Sequence, residues 1–552
     1  MRIDRRRALA LVGLGAASPA AAAKAPAAGA VRFEHGVASG DPLQDRVVLW
    51  TRITPERPGA PVAYRWRLNP VDRRAGGAQS GRGVTGLERD YTVKVDVAGL
   101  QPGRAYTYEF EAAGVASPAG RTHTLPAGPT KDVVLAVASC ALYPNGYFNA
   151  YQAIAELPRV DLILHLGDYI YEYGGEGSYG MDSAVAAERP HDPPHELLSL
   201  ADYRRRHAQY KTDPQLQAAH ARAPWIVAWD DHETANDSYK DGAENHQPDT
   251  EGDWSTRKAA ALKAYYEWMP IREPAQGVSL AEAGRRSFTI GDLATLVMLE
   301  TRLTARTKQL TYDADLPIVD GKPDVAAFMR RYHDPTRRVM SPAQEAWLGD
   351  QLAASAKAGQ AWQVIGSGVV MGRLKVAHPQ EDFAPAELAR LSENSRKILM
   401  RFQPIAELGL PFGLDMWDGY PIDRERVYAQ FRRAKARPIV VSGDSHAFWA
   451  NELADANGRR VACEFSGTAI TSPGADDVLQ LRTGPAFAKR SPEVKFCDQG
   501  AKGFVLLTLS RKEARAELMA VSTITSKSFE TRALKTYRVT PDGAGVSGLA
   551  EM

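Results

Sequence analysis

The sequence predicts an α/β protein: a large layered domain preceded by a small all-β sandwich. Three observations carry that reading. From Val31 to about Leu125 apolar residues alternate in short runs broken by glycine and proline, the period of half-buried antiparallel strands. From Val133 the runs become almost continuously apolar, as in strands covered on both faces. Stretches of helical spacing lie between them, so strand and helix alternate along the chain.

The elements follow in order. The first residues, "MRIDRRRALALVGLGAASPAAAAKAPAAGA", join an arginine cluster to a short apolar stretch and then small residues, the layout of a secretory signal over residues 1–25. Arg5 and Arg6 in "DRRRAL" resemble the twin-arginine export signal, with cleavage near Ala23 or Ala25. The run is too short for a good membrane span. Residues 31–126 then give "RVVLWTRI", "VAYRWRL", "YTVKVDVAGL", "AYTYEFEA" and "GRTHTL", the strands of the sandwich. Within it "GLQPGRAYTYEF" resembles the fibronectin type III corner, where a tyrosine ring, here Tyr106, folds back over a turn. "PAGPTKD" reads as a linker.

The large domain is expected over 132–525. Its strands are "VVLAVAS", "VDLILHLGD", "PWIVAWDD", "LATLVMLET", "WQVIGSGVV", "PIVVSGD", "RVACEFSG" and "GFVLLTLS". Its helices include "YFNAYQAIAEL", "DYRRRHAQY", "TRKAAALKAYYEWM" and "SPAQEAWLGDQLAASAKA", with insertions at 172–200 and 376–425. Residues 526–552 are expected to form a tail or a segment capping the site.

A formal charge of +2, with both signs interspersed, leaves no basic stripe for nucleic acid. Function must therefore come from a site. Of the three cysteines, Cys463 and Cys497 lie late in the chain and could pair, which leaves Cys140 as the thiol to explain.

Four strand ends finish in metal-competent residues. "VVLAVASC" delivers Cys140, "LILHLGDYIY" delivers Asp168 and Tyr171, "WIVAWDDHETAND" delivers Asp231, His232 and Asn236, and "PIVVSGDSH" delivers Asp444 and His446. Carboxylate, imidazole, thiolate and phenolate are all metal ligands. Each has an ordinary reading as well: a Gly-Asp turn, a packed tyrosine, an acidic helix start, a small buried thiol. Jointly those readings need four unrelated coincidences at the end of one sheet, where ligands of open α/β folds collect. Neither a Gly-x-Ser-x-Gly elbow nor a Walker-type phosphate loop is present.

"GDYIYEYG", "WDDHETAND" and "SGDSH", in that order, resemble the PhoD-type alkaline phosphatases, a branch of the calcineurin-like metallophosphoesterases. The similarity runs on through "SLADYRRRHAQYKTDPQLQAAHARAPWIVAWDDHE" and "DMWDGYPIDRERV" and covers most of 32–510. The resemblance implies a four-layer αββα core and a site holding Fe3+ and Ca2+. It implies Asp168 as the bridging carboxylate, Cys140, Tyr171 and His446 on the iron side, and Asp231 and Asp444 on the calcium side. Asp231 stands where many relatives have asparagine, and Asp444 where they have histidine. Asn236 and Glu233 are further calcium-side candidates, and His232 would face the phosphate. Arg302, Trp417, Tyr420 and Arg424 are candidate substrate contacts.

A phenol with a reference pKa of about 10 ionises near neutral pH only beside a strong positive charge, which a trivalent metal supplies. Oxygen ligands such as Asp231 and Asp444 suit a hard divalent ion such as calcium. The expected activity is phosphate-ester hydrolysis by direct attack of a metal-bound hydroxide or oxide, with no covalent enzyme intermediate and with His232 assisting. The expected setting is a monomer, exported by the twin-arginine machinery to the periplasm or beyond. Two other classes stay open: a phospholipase D-like phosphodiesterase acting on lipid headgroups, and a noncatalytic exported binding protein on the same fold.

Overall fold

The computed structural model describes residues 29–552 apart from 73–75, 176 and 178. The expected export signal lies outside the described residues. Two sheets stacked face to face organise the rest. The larger has ten strands, ordered Ala550–Glu551, Thr531–Val539, Ala514–Val521, Lys502–Ser510, Asp132–Ala138, Leu162–His165, Trp225–Val227, Val37–Gly40, Arg46–Arg52 and Thr92–Ala98. Asp132–Ala138, Leu162–His165 and Trp225–Val227 run parallel at its centre, while Lys502–Ser510 pairs antiparallel with Asp132–Ala138. The second sheet has seven strands, ordered Arg286–Ile290, Ala294–Met298, Trp362–Ser367, Pro438–Ser442, Arg460–Ser466, Phe448–Ala454 and Val494–Asp498.

The apolar runs explain the layering. Leu135, Leu164, Ile226 and Val505 of the first sheet share one buried cluster with Leu296, Val364, Val441 and Phe465 of the second. Alternate residues of the same strands point outward. Ala136, Ile163 and Trp225 meet Ile154, Tyr203, Leu216 and Tyr265, which belong to the helices Asn149–Glu156, Leu200–Lys211, Pro214–Arg222 and Trp254–Trp268. On the far side Val297, Ile365 and Val440 meet Leu348, Leu352, Val427 and Phe431 of Pro342–Lys357 and Pro421–Ala434. The result is an αββα stack, as expected. Polar residues at the helix starts set the boundaries: Ser199 and Asp202 form a reciprocal cap, Asp213 accepts from the N–H groups of Gln215 and Leu216, and Ser341 caps Gln344.

The N-terminal strands form the expected all-β region. Val62, Leu68, Tyr106, Tyr108 and Phe110 of one sheet pack against Val37, Val47, Leu49, Val93 and Val97. The second of these layers is also the edge of the ten-stranded sheet, joined where Gly40 pairs with Trp225. Tyr106 forms its corner as read: the Gln101 N–H donates to Tyr106 Oη at 3.1 Å.

One expectation is corrected and one open point is settled. Residues 526–552 are neither tail nor cap, because Thr531–Val539 pairs along Ala514–Val521 and buries Tyr537 and Val539 between the two sheets. Cys463 and Cys497 do not pair; all three cysteines are free and buried. The strand Phe448–Ala454 runs between them, and their side chains join different clusters, Cys463 the core between the sheets and Cys497 the one around Trp449 and Phe487.

Candidate metal centre

The ends of the central strands carry a tight group of ligand-type side chains. Cys140, Asp168 and His446 place one ligand atom each within 4.8 Å of one another; Asp168, Asp231 and His232 do the same, as do Asp168, Asp230, Asp231 and Asp444. Asp168 belongs to all three groups. Tyr171 joins them: its Oη lies 3.2 Å from Asp168 Oδ2 and 3.2 Å from His446 Nε2. Ser472 Oγ lies 2.6 Å from Tyr171 Oη and 2.9 Å from the Cys140 carbonyl, which ties the phenol to the first strand end.

Local backbone geometry aims these side chains. Cys140, Asp168, Asp444 and His446 have φ of 61°, 56°, 65° and 54°, a left-handed conformation that non-glycine residues adopt rarely and at some cost. Each strand thus turns sharply as it ends and presents its last residue to the rim. Gly167, at φ 113°, lets the Asp168 loop lie on its neighbour: a Cβ there would stand 2.3 Å from Asp230 Cβ.

Burial and crowding set the electrostatics. Burial first, then the charge of Asp168, pushes the Cys140 thiol and the Tyr171 phenol well above their ordinary values. Burial likewise raises Asp168 and Asp444, with neighbouring carboxylates adding to it. Burial brings His446 down to about 4, a neutral imidazole fit for coordination. Its Nδ1 lies 2.8 Å from the Pro473 carbonyl and 3.1 Å from Tyr179 Oη. With Nδ1 protonated toward that carbonyl, Nε2 faces the cluster.

His232 is held on one side. Its Nδ1 donates to Glu172 Oε2 at 2.7 Å, and the fully buried Glu172 also accepts from the Asn236 N–H at 2.7 Å and from Asn245 Nδ2 at 2.8 Å. Burial opposes a charge on His232, yet Asp231, Glu172 and Asp168 together raise it well above the usual histidine range. Its ring lies 4.1 Å from that of Tyr171 and 5.1 Å from that of Tyr173, centroid to centroid.

Six expected ligands, Cys140, Asp168, Tyr171, Asp231, Asp444 and His446, therefore converge with His232. The remaining candidates are held by bonds of other kinds. The Glu233 carboxylate accepts the backbone N–H groups of Asp168, Tyr169 and Asp230 at 3.0, 2.7 and 2.8 Å, a clamp on the two loops rather than a ligand. The Asn236 side-chain amide donates to Glu244 Oε2 at 3.1 Å. Arg302 is fully buried and forks onto Asp230 at 2.7 and 2.9 Å, with Asp415 at 2.9 Å and Asp444 at 3.4 Å, so its donors hold carboxylates instead of phosphate.

Trp417, Tyr420 and Arg424, expected at the substrate, are core. Trp417 Nε1 donates to Ser367 Oγ at 3.0 Å, Tyr420 Oη donates to the Thr307 carbonyl at 2.7 Å, and Arg424 pairs with Asp418 at 2.9 Å. These bonds fix the 416–420 turn against the second sheet. Asp230, Glu172, Tyr173, Tyr179 and Ser472 were not anticipated. The signal for the first two was present: a doubled aspartate in "WDDHE" and a glutamate one residue past Tyr171 in "GDYIYE".

A two-sheet αββα fold with buried carboxylates, a thiol, imidazoles and a phenol converging at its strand ends is the arrangement of a hydrolase with a candidate metal site. Comparison with known proteins narrows the class. Residues 135–518 match the PhoD-like phosphatase family and residues 18–126 match the PhoD-like phosphatase N-terminal domain. The chain is 32% identical over 521 residues to alkaline phosphatase D of Bacillus subtilis (strain 168), covering 92% of this chain and 81% of that protein. A solved structure of PhoD superposes with a TM-score of 0.76 at 30% identity, covering 96% of this chain and 94% of the other. The chain belongs to the PhoD-like phosphatase family, and it is a phosphoric ester hydrolase.

Proposed function

We propose that this enzyme hydrolyses phosphate esters by direct attack of water, with no covalent enzyme intermediate, and that Asp168 and the side chains grouped around it would hold the metal ions that assist. The observation that carries the reading is the membership of Asp168 in every ligand group. The residues fit such ions. Asp168 Oδ1 is buried without a hydrogen-bond partner among the described residues, a costly state that a cation relieves. Cys140, Tyr171 and His446 form a thiol, phenol and imidazole set suited to ferric iron; Asp230, Asp231 and Asp444 form an oxygen set suited to calcium. When bound, the ions supply Lewis-acid polarisation of the phosphoryl group and activation of the attacking water.

The chain's own residues do the rest. Glu172 holds His232 by Nδ1 and fixes the ring against Tyr171, so the imidazole can retain or give a proton where the leaving group departs. Arg302 opposes the burial that raises the Asp230 carboxyl, and it restrains Asp444. Tyr173 and Tyr179 wall the site on the 172–180 loop. The Arg5–Arg6 signal supports an exported enzyme acting outside the cytoplasm, with the twin-arginine machinery as its export partner.

Elemental analysis and the visible spectrum of the purified protein test this reading. Iron with calcium is expected, together with a visible phenolate-to-iron band that Tyr171→Phe abolishes. Zinc or manganese without that band would overturn the assignment of Tyr171. Assays of a phosphomonoester, a phosphodiester and phosphatidylcholine then rank the substrates.

A further inference from the structure

The stretch "GTAITSPG", residues 467–474, follows the strand Arg460–Ser466 and holds none of the expected ligands. Its packing nevertheless ties it to three of them. Ala469 bridges to Ser139, and the Ile470 N–H donates to the Ser139 carbonyl at 3.0 Å, so the stretch runs on beside the end of the strand Asp132–Ala138 that delivers Cys140. Three residues later the Pro473 carbonyl accepts from His446 Nδ1 at 2.8 Å. Between these two anchors stands Ser472, fully buried, with its hydroxyl against the phenol of Tyr171.

The hydroxyl proton of Ser472 has two acceptors within reach and can serve one. Ser472 Oγ lies 2.9 Å from the Cys140 carbonyl and 2.6 Å from Tyr171 Oη. The carbonyl has other donors, because the N–H groups of Thr471 and Ser472 both point at it at 3.3 Å. The phenol oxygen is placed differently. Its remaining neighbours, Asp168 Oδ2 and His446 Nε2, both at 3.2 Å, are acceptors once His446 carries its proton on Nδ1, so neither can donate to it. The 2.6 Å separation also falls in the range of a hydroxyl that donates to an anionic oxygen.

We propose that Ser472 is a positioning residue of the metal centre: its hydroxyl donates to the Tyr171 oxygen, fixes where that oxygen faces Asp168, and draws charge from the phenolate when iron is bound. This role rests on the ferric-iron reading above. A phenolate deprived of the donor holds its electrons less tightly, so charge transfer to iron needs less energy.

Visible and resonance Raman spectra of the iron-loaded full chain test the role. Ser472→Ala should move the phenolate-to-iron band to longer wavelength and weaken iron binding about tenfold or more in competition with a chelator, the usual cost of removing a ligand's outer partner. Thr471→Val is the control on the same stretch. It loses the buried bond from Thr471 Oγ1 to the Leu142 carbonyl at 2.7 Å without touching a ligand side chain, and should lower the melting temperature with the band unmoved. A third measurement needs no variant: in the wild type the phenolate C–O stretch should differ between H2O and fully exchanged D2O, because the Ser472 proton exchanges. A band that stays in place in Ser472→Ala, an equal shift in Thr471→Val, or identical stretches in the two solvents overturns the role and leaves the iron reading standing. A wild type with no phenolate band overturns the reading of Tyr171, and this role with it.

Discussion

Glu172 and Arg302 each anchor a side chain of the centre with directed hydrogen bonds, and each can be tested by one substitution. Glu172→Gln keeps the shape and loses the negative charge that faces His232 Nδ1. Loss of such an orienting partner typically costs 10- to 100-fold, so kcat should fall by about that factor with KM little changed. An equal rise in KM would show that the pair serves binding. Arg302→Met removes the fork on Asp230 and strands a buried carboxylate, which should lower unfolding stability by about 3–5 kcal/mol in urea titrations. The ligands were legible in the sequence because they cluster in the few residues that follow an apolar run, where the strand must surface. Arg302, Trp417, Tyr420 and Arg424 were misread because a residue type beside a strand end does not reveal which way its side chain turns. Only the packing shows that all four are enclosed.

Strands and helices followed the sequence wherever period and caps agreed. The helix expected at 341–358 spans Pro342–Lys357, started by Ser341, and the strand expected at 438–444 spans Pro438–Ser442. "PWIVAWDD" shortened to Trp225–Val227, because the chain leaves the sheet early to bring Asp230 and Asp231 to the rim. The C-terminal strand was missed. Thr531–Val539 is exposed along much of its length, so its apolar signal is weak, and only pairing with Ala514–Val521 defines it. Tyr106→Phe tests the corner of the N-terminal sandwich. Losing the bond from the Gln101 N–H should cost about 1 kcal/mol by urea titration, with activity unchanged because the corner lies in a separate buried cluster.

At the scale of the whole molecule, buried neutral histidines govern acid stability. Burial, as the leading cause, brings His35, His165, His191 and His207 down to about 3. The unfolded chain protonates each near 6.5, so below that pH it binds more protons than the folded chain does. Their contribution is complete above pH 6.5 and is lost as the pH falls toward 3, at up to about 1.4 kcal/mol per histidine per pH unit. Thermal melts should therefore show Tm nearly flat above pH 7 and falling steeply below 6; a flat profile down to pH 5 would show that these histidines are solvated. The strand order has a different consequence, for the newborn polypeptide. Asp132–Ala138 is completed on one edge only by Lys502–Ser510. A ribosome therefore releases the central strand long before its neighbour exists, and the sheet must wait, open-edged, until residue 510 has emerged. The complete sheet can therefore close only after residue 510 has emerged, and until then that edge is open to pairing with other chains.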